Sequence, residues 1–155
     1  MRKRNRTKKS IHFQRIRRTP GKTMIYIDSN ILINSAANDA EPGKKSRRLL
    51  MHIIKGNQEA ATSVLTIDEA LWALQREKGK PFAANVARNL LDIRNLAFLD
   101  TTQQIIEEAL HAYTHDNLNP RDAIHLATMR VNGITTIASY DDDFDQIKNI
   151  TRITP

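Results

Sequence analysis

Four acidic residues fall where a metal-assisted phosphate chemistry would need them. Asp28 ends the apolar, β-prone run Met24 to Ile27, and Asp141 follows a second such run, Ile134 to Ala138. Glu69 lies in the first turn of a helix expected from Thr66, and Asp122 in the first turn of a helix opened by Asn119-Pro120. In open α/β sheets, sites form beyond the carboxyl ends of the strands, where helix N-termini also point, so these acids are expected to meet in one cleft. Clustered carboxylates repel unless a cation or proton intervenes, and an all-oxygen donor set suits a hard ion such as Mg²⁺ or Mn²⁺.

Each acid also has a purely structural explanation. Thr66-Ile67-Asp68-Glu69 reads as a capping box, with Thr66 as N-cap and Glu69 reaching back to its amide. Asp122 suits the positive end of a helix dipole, and Asp28 suits the N-cap of a helix starting near Asn30. Asp141, Asp142, Asp143 and Asp145 read equally as a solvated turn, although Phe144 among them points to a packed one.

The elements that must position these acids alternate between strand and helix. After the Asp28 junction, Leu49, Leu50, Ile53 and Ile54 repeat at helical spacing up to Gly56, and Ala60 to Leu65 reads as a buried strand. Helices follow on Ala70, Leu71 and Leu74, then on Phe82, Val86, Leu90 and Ile93, separated by Gly79-Lys80-Pro81. Leu96 to Leu99 reads as a strand. Thr101 or Thr102 caps a helix carrying Ile105, Ile106, Leu110 and Tyr113, and the helix from Asn119-Pro120 runs to Asn132-Gly133. The class is α/β, with a mostly parallel central sheet covered by helices.

Composition narrows the functional classes. The chain has 155 residues, enough for one domain with its own core, and no cysteine, which excludes thiolate zinc sites, cysteine nucleophiles and disulfides. No apolar run reaches the ~18 residues of a membrane span, so a soluble cytoplasmic protein is expected. Of 24 Lys and Arg, ten lie in residues 1–27 with no acid among them, leaving 14 against 17 acids in the remainder, which is net −3. Residues 1–23 therefore read as a separate basic extension, and residues 24–155 as the folded domain. The extension is either a solvated segment preceding a true start at Met24 or a phosphate-binding arm acting through counterion release. A second basic group, Lys44, Lys45, Arg47 and Arg48, is either a solvated helix face or a nucleic-acid contact.

The four segments Y-I-D-S-N-I-L-I (26–33), T-S-V-L-T-I-D-E-A-L-W-A-L (62–74), N-P-R-D-A-I-H-L-A-T (119–128) and T-I-A-S-Y-D-D-D-F-D (136–145) together resemble the PIN domain. Within that family they resemble the VapC-type ribonuclease toxins of toxin–antitoxin pairs. The resemblance covers everything except the basic extension and implies a PIN-like three-layer α/β/α fold. It implies Asp28, Glu69, Asp122 and Asp141 as catalytic acids, with Asp28, Asp122 and Asp141 holding one or two Mg²⁺ or Mn²⁺. Glu69 would bind metal or orient the attacking water. Ser29, Asn30, Ser139 and Asp143 match positions beside the metal or the substrate phosphate. The implied activity is metal-dependent hydrolysis of RNA, the implied partners a cognate antitoxin and a second copy of the chain.

His125, in an otherwise apolar stretch of its helix, reads as a packed, hydrogen-bonded side chain rather than a ligand, and His52, His111 and His115 have no ligand spacing. Trp72 and Leu71 read as core or dimer contacts rather than a base-stacking platform. An Asp28-nucleophile phosphohydrolase would usually want a second aspartate where Asn30 stands, and a receiver domain would want paired acids after the first strand. A non-catalytic RNA- or protein-binding module of the same fold, its acids serving only as caps, is the alternative from another class.

Overall fold

The computed structural model describes residues 23–155. The basic extension therefore lies, apart from Thr23, outside the described residues. Five parallel strands form one sheet: β1 (Met24–Ile27), β2 (Glu59–Ser63), β3 (Leu96–Leu99), β4 (Thr136–Ala138) and β5 (Thr151–Ile153), in the order β3-β2-β1-β4-β5. The helices are α1 (Ser29–Ala37), α2 (Glu41–Ile54), α3 (Leu65–Lys78), α4 (Lys80–Leu91), α5 (Gln103–His115) and α6 (Pro120–Val131), with a short 3₁₀ turn at Asp142–Gln146. No helix among the described residues is long and apolar enough to cross a membrane.

Strand alternation sets the layers. Ile25 and Ile27 pack with Ile31, Leu32, Leu50, Ile53, Leu74 and Val86, so α1 to α4 cover one face. Met24 and Tyr26 point the other way, into a core with Ile105, Ala109, Leu126, Met129 and Phe144, where α5 and α6 lie. A sheet covered on both faces is what all-parallel pairing requires. This is the expected three-layer α/β/α architecture.

The strand order reverses at β1. Successive strands run outward from β1 through β2 to β3, whereas β4 and β5 lie on its other side. Ile27 is in register with Ala138, and the Asp28 N–H continues the ladder to the Ala138 carbonyl at 3.1 Å. The chain leaving β1 and the chain leaving β4 thus emerge side by side, forming the crevice that such a switch point creates.

Several local readings are corrected. Thr66 is not an N-cap: α3 starts at Leu65, and Thr66 is turned inward and fully buried, with its hydroxyl 2.7 Å from that of Thr62. Thr62 in turn donates to the Ile27 carbonyl at 2.7 Å, so the pair ties α3 to the end of β1. On α5, Thr102 is the cap, accepting from the Ile105 N–H at 3.3 Å, but the buried face is Ile105, Ala109 and Ala112. Ile106, Leu110 and Tyr113 are on the outside. Trp72 is not core either: it is 48% exposed, with the guanidinium groups of Arg76 and Arg121 over its ring at 4.6 and 5.7 Å. The strand β5 was not anticipated from its three-residue pattern.

Gly43 has a strict steric role. Pro42 and Gly43 belong to the first turn of α2, which crosses the end of α1 so closely that a Cβ on Gly43 would lie 1.7 Å from the Asn38 carbonyl oxygen. Backbone cannot yield as a flexible side chain can. Gly43→Ala is expected to cost about 3 kcal/mol or more, read as a lower urea midpoint with an unchanged m-value.

Candidate active site

Asp28 is built into the junction between β1 and α1. Its Oδ1 accepts from the Ser29 N–H at 2.6 Å, so it is the N-cap of α1, and its Oδ2 accepts from Asn30 Nδ2 at 2.6 Å and Ser139 Oγ at 2.5 Å. Capping and site membership are one arrangement here, not alternatives. Asn30 also donates to Ser139 Oγ at 3.0 Å, while its Oδ1 accepts from the Tyr140 N–H at 3.2 Å, clamping the two emerging chains together. Burial pushes the Asp28 carboxyl up, against the His125 ring and the Ser139 and Ser29 hydrogen bonds, which favour its ionised form. With 4% exposure and both oxygens engaged, Asp28 is not presented as a nucleophile.

Glu69 extends from the first turns of α3 to the same crevice instead of capping its helix. Its Oε2 accepts from Ser29 Oγ at 2.9 Å and its Oε1 lies 2.7 Å from His125 Nε2. Burial works against the Glu69 carboxylate, but the His125 hydrogen bond and charge and the Ser29 hydroxyl outweigh it and hold the carboxyl below its ordinary range. His125 is fully buried on α6, packed edge-on against Tyr26, with its Nδ1 2.7 Å from the Tyr26 hydroxyl. Burial disfavours the charged ring, whereas the Glu69 hydrogen bond and the charges of Asp28, Glu69 and Asp122 favour it more strongly.

Asp122, Asp141 and Asp143 complete the site. Each offers a carboxylate oxygen, and the three oxygens lie within 4.8 Å of one another. Asp141 caps the 3₁₀ turn by accepting from the Asp143 N–H at 3.0 Å, and its own N–H donates to Ser139 Oγ at 2.9 Å. Phe144 is fully buried, which anchors the turn as its apolar character foretold. Of the other acids there, Asp142 is exposed and Asp145 is turned away to a two-pronged pair with Arg152 at 2.6 and 2.8 Å. Asn119 holds the N-cap position of α6 without a side-chain cap, so Asp122 sits in the first turn with its carboxyl facing the other acids. Burial, then the charges of Asp141 and Asp28, push Asp122 up to about 6.

The crevice therefore gathers all four principal acids with Ser29, Asn30, Ser139 and Asp143. The tightest trio is Asp122, Asp141 and Asp143; Asp28 stands behind it, coupled through charge and already supplied with donors. The α2 basic group is divided. Arg47 Nη1 donates to the Ser35 and Asn38 carbonyls at the end of α1, and Arg48 pairs with Glu41 at 2.8 Å, whereas Lys44 and Lys45 are exposed. The residues that sequence reasoning passed over are His125 and Tyr26 as partners of Glu69. The signal available was His125 itself, three residues from Asp122 in an apolar run.

Crowding has a measurable cost. A carboxyl moved from 3.8 to about 6 contributes stability that is complete below pH 4 and is lost as pH rises towards and through about 6. The displacement corresponds to about 3 kcal/mol if fully shielded, reduced by the partial exposure of Asp122 to roughly 1–2 kcal/mol. In EDTA, Asp122→Asn is expected to remove this loss, melting higher than wild type at pH 7 and converging with it below pH 4. Thermal melts across that range check it.

Comparisons with known proteins place the chain in a family and match its fold. The chain is 26% identical over 121 residues to the ribonuclease VapC23 of Mycobacterium tuberculosis, covering 76% of this chain and 93% of that one. The crystal structure of Mycobacterium tuberculosis VapC20, described as a toxin cleaving the sarcin–ricin loop, superposes with a TM-score of 0.65 at 21% identity, over 78% of this chain and 92% of that one. The VapBC2 structure from Rickettsia felis, bound to a promoter DNA fragment, gives a TM-score of 0.68 at 14% identity, over 85% and 98%. The family description for the PIN domain matches residues 25–150, nearly the whole described chain. The chain belongs to the PIN domain family.

Proposed function

We propose that this protein is a divalent-metal-dependent endoribonuclease, the toxin of a toxin–antitoxin pair. The observation that carries this reading is the carboxylate trio of Asp122, Asp141 and Asp143, backed by Asp28 and Glu69, at the switch point of the sheet. Relatives named as VapC ribonucleases support the substrate class. The donor set fits a hard cation, since every side chain in the trio offers oxygen and their mutual repulsion calls for a counter-charge. Mg²⁺ is the proposed ion, with Mn²⁺ as a substitute.

In this reading Asp122 and Asp141 would hold the ion, with Asp143 as accessory ligand and Asp28 adding negative charge. A bound divalent ion supplies Lewis acidity at the scissile phosphate and makes water a better nucleophile. Glu69, fixed at both oxygens and kept ionised, orients the attacking water and takes its proton. The new bond joins the water oxygen to phosphorus. The bond to the 3′ oxygen breaks, and that oxygen takes a proton from solvent, leaving a 5′-phosphate and a 3′-hydroxyl. Ser29, Asn30 and Ser139 hold Asp28 in place, and the Ser139 and Ser29 hydrogen bonds favour its ionised form against burial. Lys44 and Lys45 are the proposed phosphate contacts of the α2 surface, offsetting the net negative charge of the body.

A small antitoxin partner and a homodimer belong to the same reading, as does a cytoplasmic setting where RNA is met. Toxin–antitoxin complexes among the structural relatives support the first. The exposed stripe Ile106, Leu110 and Tyr113 on α5 supports an unfilled apolar contact.

Three outcomes are expected at the bench. Structured RNAs should be cleaved with Mg²⁺ or Mn²⁺ and spared in EDTA, and Asp28→Asn or Asp122→Asn should lose at least about 100-fold in rate, the upper end of what disturbing a metal site's supporting shell costs. The ion at 100 times its dissociation constant should stabilise wild type by about 2.7 kcal/mol and Asp122→Asn much less. EDTA-resistant cleavage, or equal stabilisation of both proteins, contradicts the reading. Lys44→Gln with Lys45→Gln should raise KM and leave kcat unchanged, as loss of uniform binding does; steady-state kinetics on a short RNA checks it.

A further inference from the structure

We propose that His125 is a positioning residue for Glu69, locked in one tautomer by a directional hydrogen-bond chain that starts at the backbone of β2 and passes through Tyr26. The proposal rests on the reading of Glu69 as the water-orienting carboxylate and adds the groups that aim it.

The direction of the chain follows from counting protons. The Ser63 N–H can only donate, and it donates to the Tyr26 hydroxyl at 3.0 Å. That hydroxyl has one proton and its residue is fully buried; beside the Ser63 hydroxyl, which already accepts from the Leu65 N–H and pairs with Thr101, its acceptor is His125 Nδ1 at 2.7 Å. The proton therefore points at Nδ1, which must be bare to accept it. The ring proton is left on Nε2, 2.7 Å from Glu69 Oε1. The surrounding carboxylates favour a second proton on the ring, but at Nδ1 that proton would turn two donors on each other across 2.7 Å and displace the buried phenol hydrogen from its acceptor. A ring with its proton on Nδ1 alone would do the same and would also set a bare nitrogen against a carboxylate.

The chain has few other ways to settle. Tyr26 comes from β1, Ser63 from the end of β2, His125 from α6 and Glu69 from α3, so four elements from both faces of the sheet fix one carboxylate. On the far side Glu69 Oε2 accepts from Ser29 Oγ at 2.9 Å, and Ser29 is held in turn by the N-cap Asp28, whose carboxylate accepts from the Ser29 N–H at 2.6 Å. Glu69 is thereby held at both ends, as a group must be to present a lone pair to water in a fixed direction. A core-filling histidine needs no such chain, because an apolar side chain of similar size would fill the space beside Tyr26 without a buried polar contact to satisfy.

The test joins a spectroscopic reading to kinetics. In ¹⁵N-labelled, metal-free protein at neutral pH, long-range ¹H–¹⁵N correlation of the His125 ring, assigned by its loss in His125→Gln, should show a protonated Nε2 and a bare Nδ1. Tyr26→Phe, which removes only the hydroxyl, should abolish that single-tautomer signature and lower kcat about tenfold with KM little changed, within the range seen when a supporting partner is lost. His125→Gln, whose amide can still donate towards Glu69, should retain clearly more kcat than His125→Leu. Melts and dispersed amide spectra identify any variant that has lost its fold. A proton on Nδ1 in wild type overturns the proposal, as does wild-type kcat in well-folded Tyr26→Phe or equal kcat for His125→Gln and His125→Leu. Absence of metal-dependent cleavage by wild type would instead defeat the nuclease reading, and the role of His125 with it, even where the tautomer is as described.

Discussion

Repulsion between carboxylates brought to the carboxyl ends of parallel strands is the constraint around which the rest of this structure is arranged. Asp28, Glu69, Asp122, Asp141 and Asp143 converge from four places in the chain, the last two from one turn, and a protein interior or crevice shields such charges poorly. The molecule answers with donors rather than with cations of its own. Asp28 receives three, from Ser29, Asn30 and Ser139, and Glu69 receives two, from Ser29 and His125. Asp122 receives none from the described residues and is pushed up to about 6, by burial first and then by the charges of Asp141 and Asp28, while burial pushes Asp28 up in spite of its donors. The carboxylate left without a donor thus belongs to the trio whose oxygens could share a cation.

The scaffold makes this convergence cheap in chain and costly in precision. Parallel pairing of β1 with β4 brings residues more than a hundred positions apart into register, and the topological switch leaves the gap beside them open. What locks the gap is polar. Asn30 bridges Asp28, Ser139 and the Tyr140 amide, while the Tyr140 hydroxyl donates to the Pro42 carbonyl at 2.9 Å and so ties the same loop to α2. Arg152 on β5 reaches both Asp145 and the Ser139 carbonyl, bracing the loop from the sheet edge. The short edge strand therefore serves the site, which gives a physical reason for a three-residue strand to be kept there.

Legibility in the sequence followed the range of the interactions concerned. Elements governed by local pattern, such as the apolar run into Asp28, the Asn119-Pro120 start and the buried Phe144 turn, were readable, and with them the convergence of the four acids. Where a side chain had two competing partners, local pattern chose the near one and the fold chose the far one. Thr66 and Glu69 fit a capping box four residues long, yet Thr62 claims the Thr66 hydroxyl and His125, 56 positions away, claims Glu69. On α5 the larger apolar residues suggested the buried face, whereas the small Ala109 and Ala112 let the helix lie close against α6. β5 was hidden because its pairing is entirely long-range. The basic quartet on α2 looked uniform, but Arg47 and Arg48 are taken up by the α1 carbonyls and by Glu41.

The most direct test of this account is anomalous diffraction from crystals soaked in Mn²⁺, which locates the ion without reference to activity. The account predicts a strong manganese peak in the crevice, ligated by the carboxylates of Asp122 and Asp141 with Asp143 or Asp28 adjoining, and its loss in Asp122→Asn. An ordered crevice free of manganese, or a peak bound only to acids elsewhere on the surface, would contradict it.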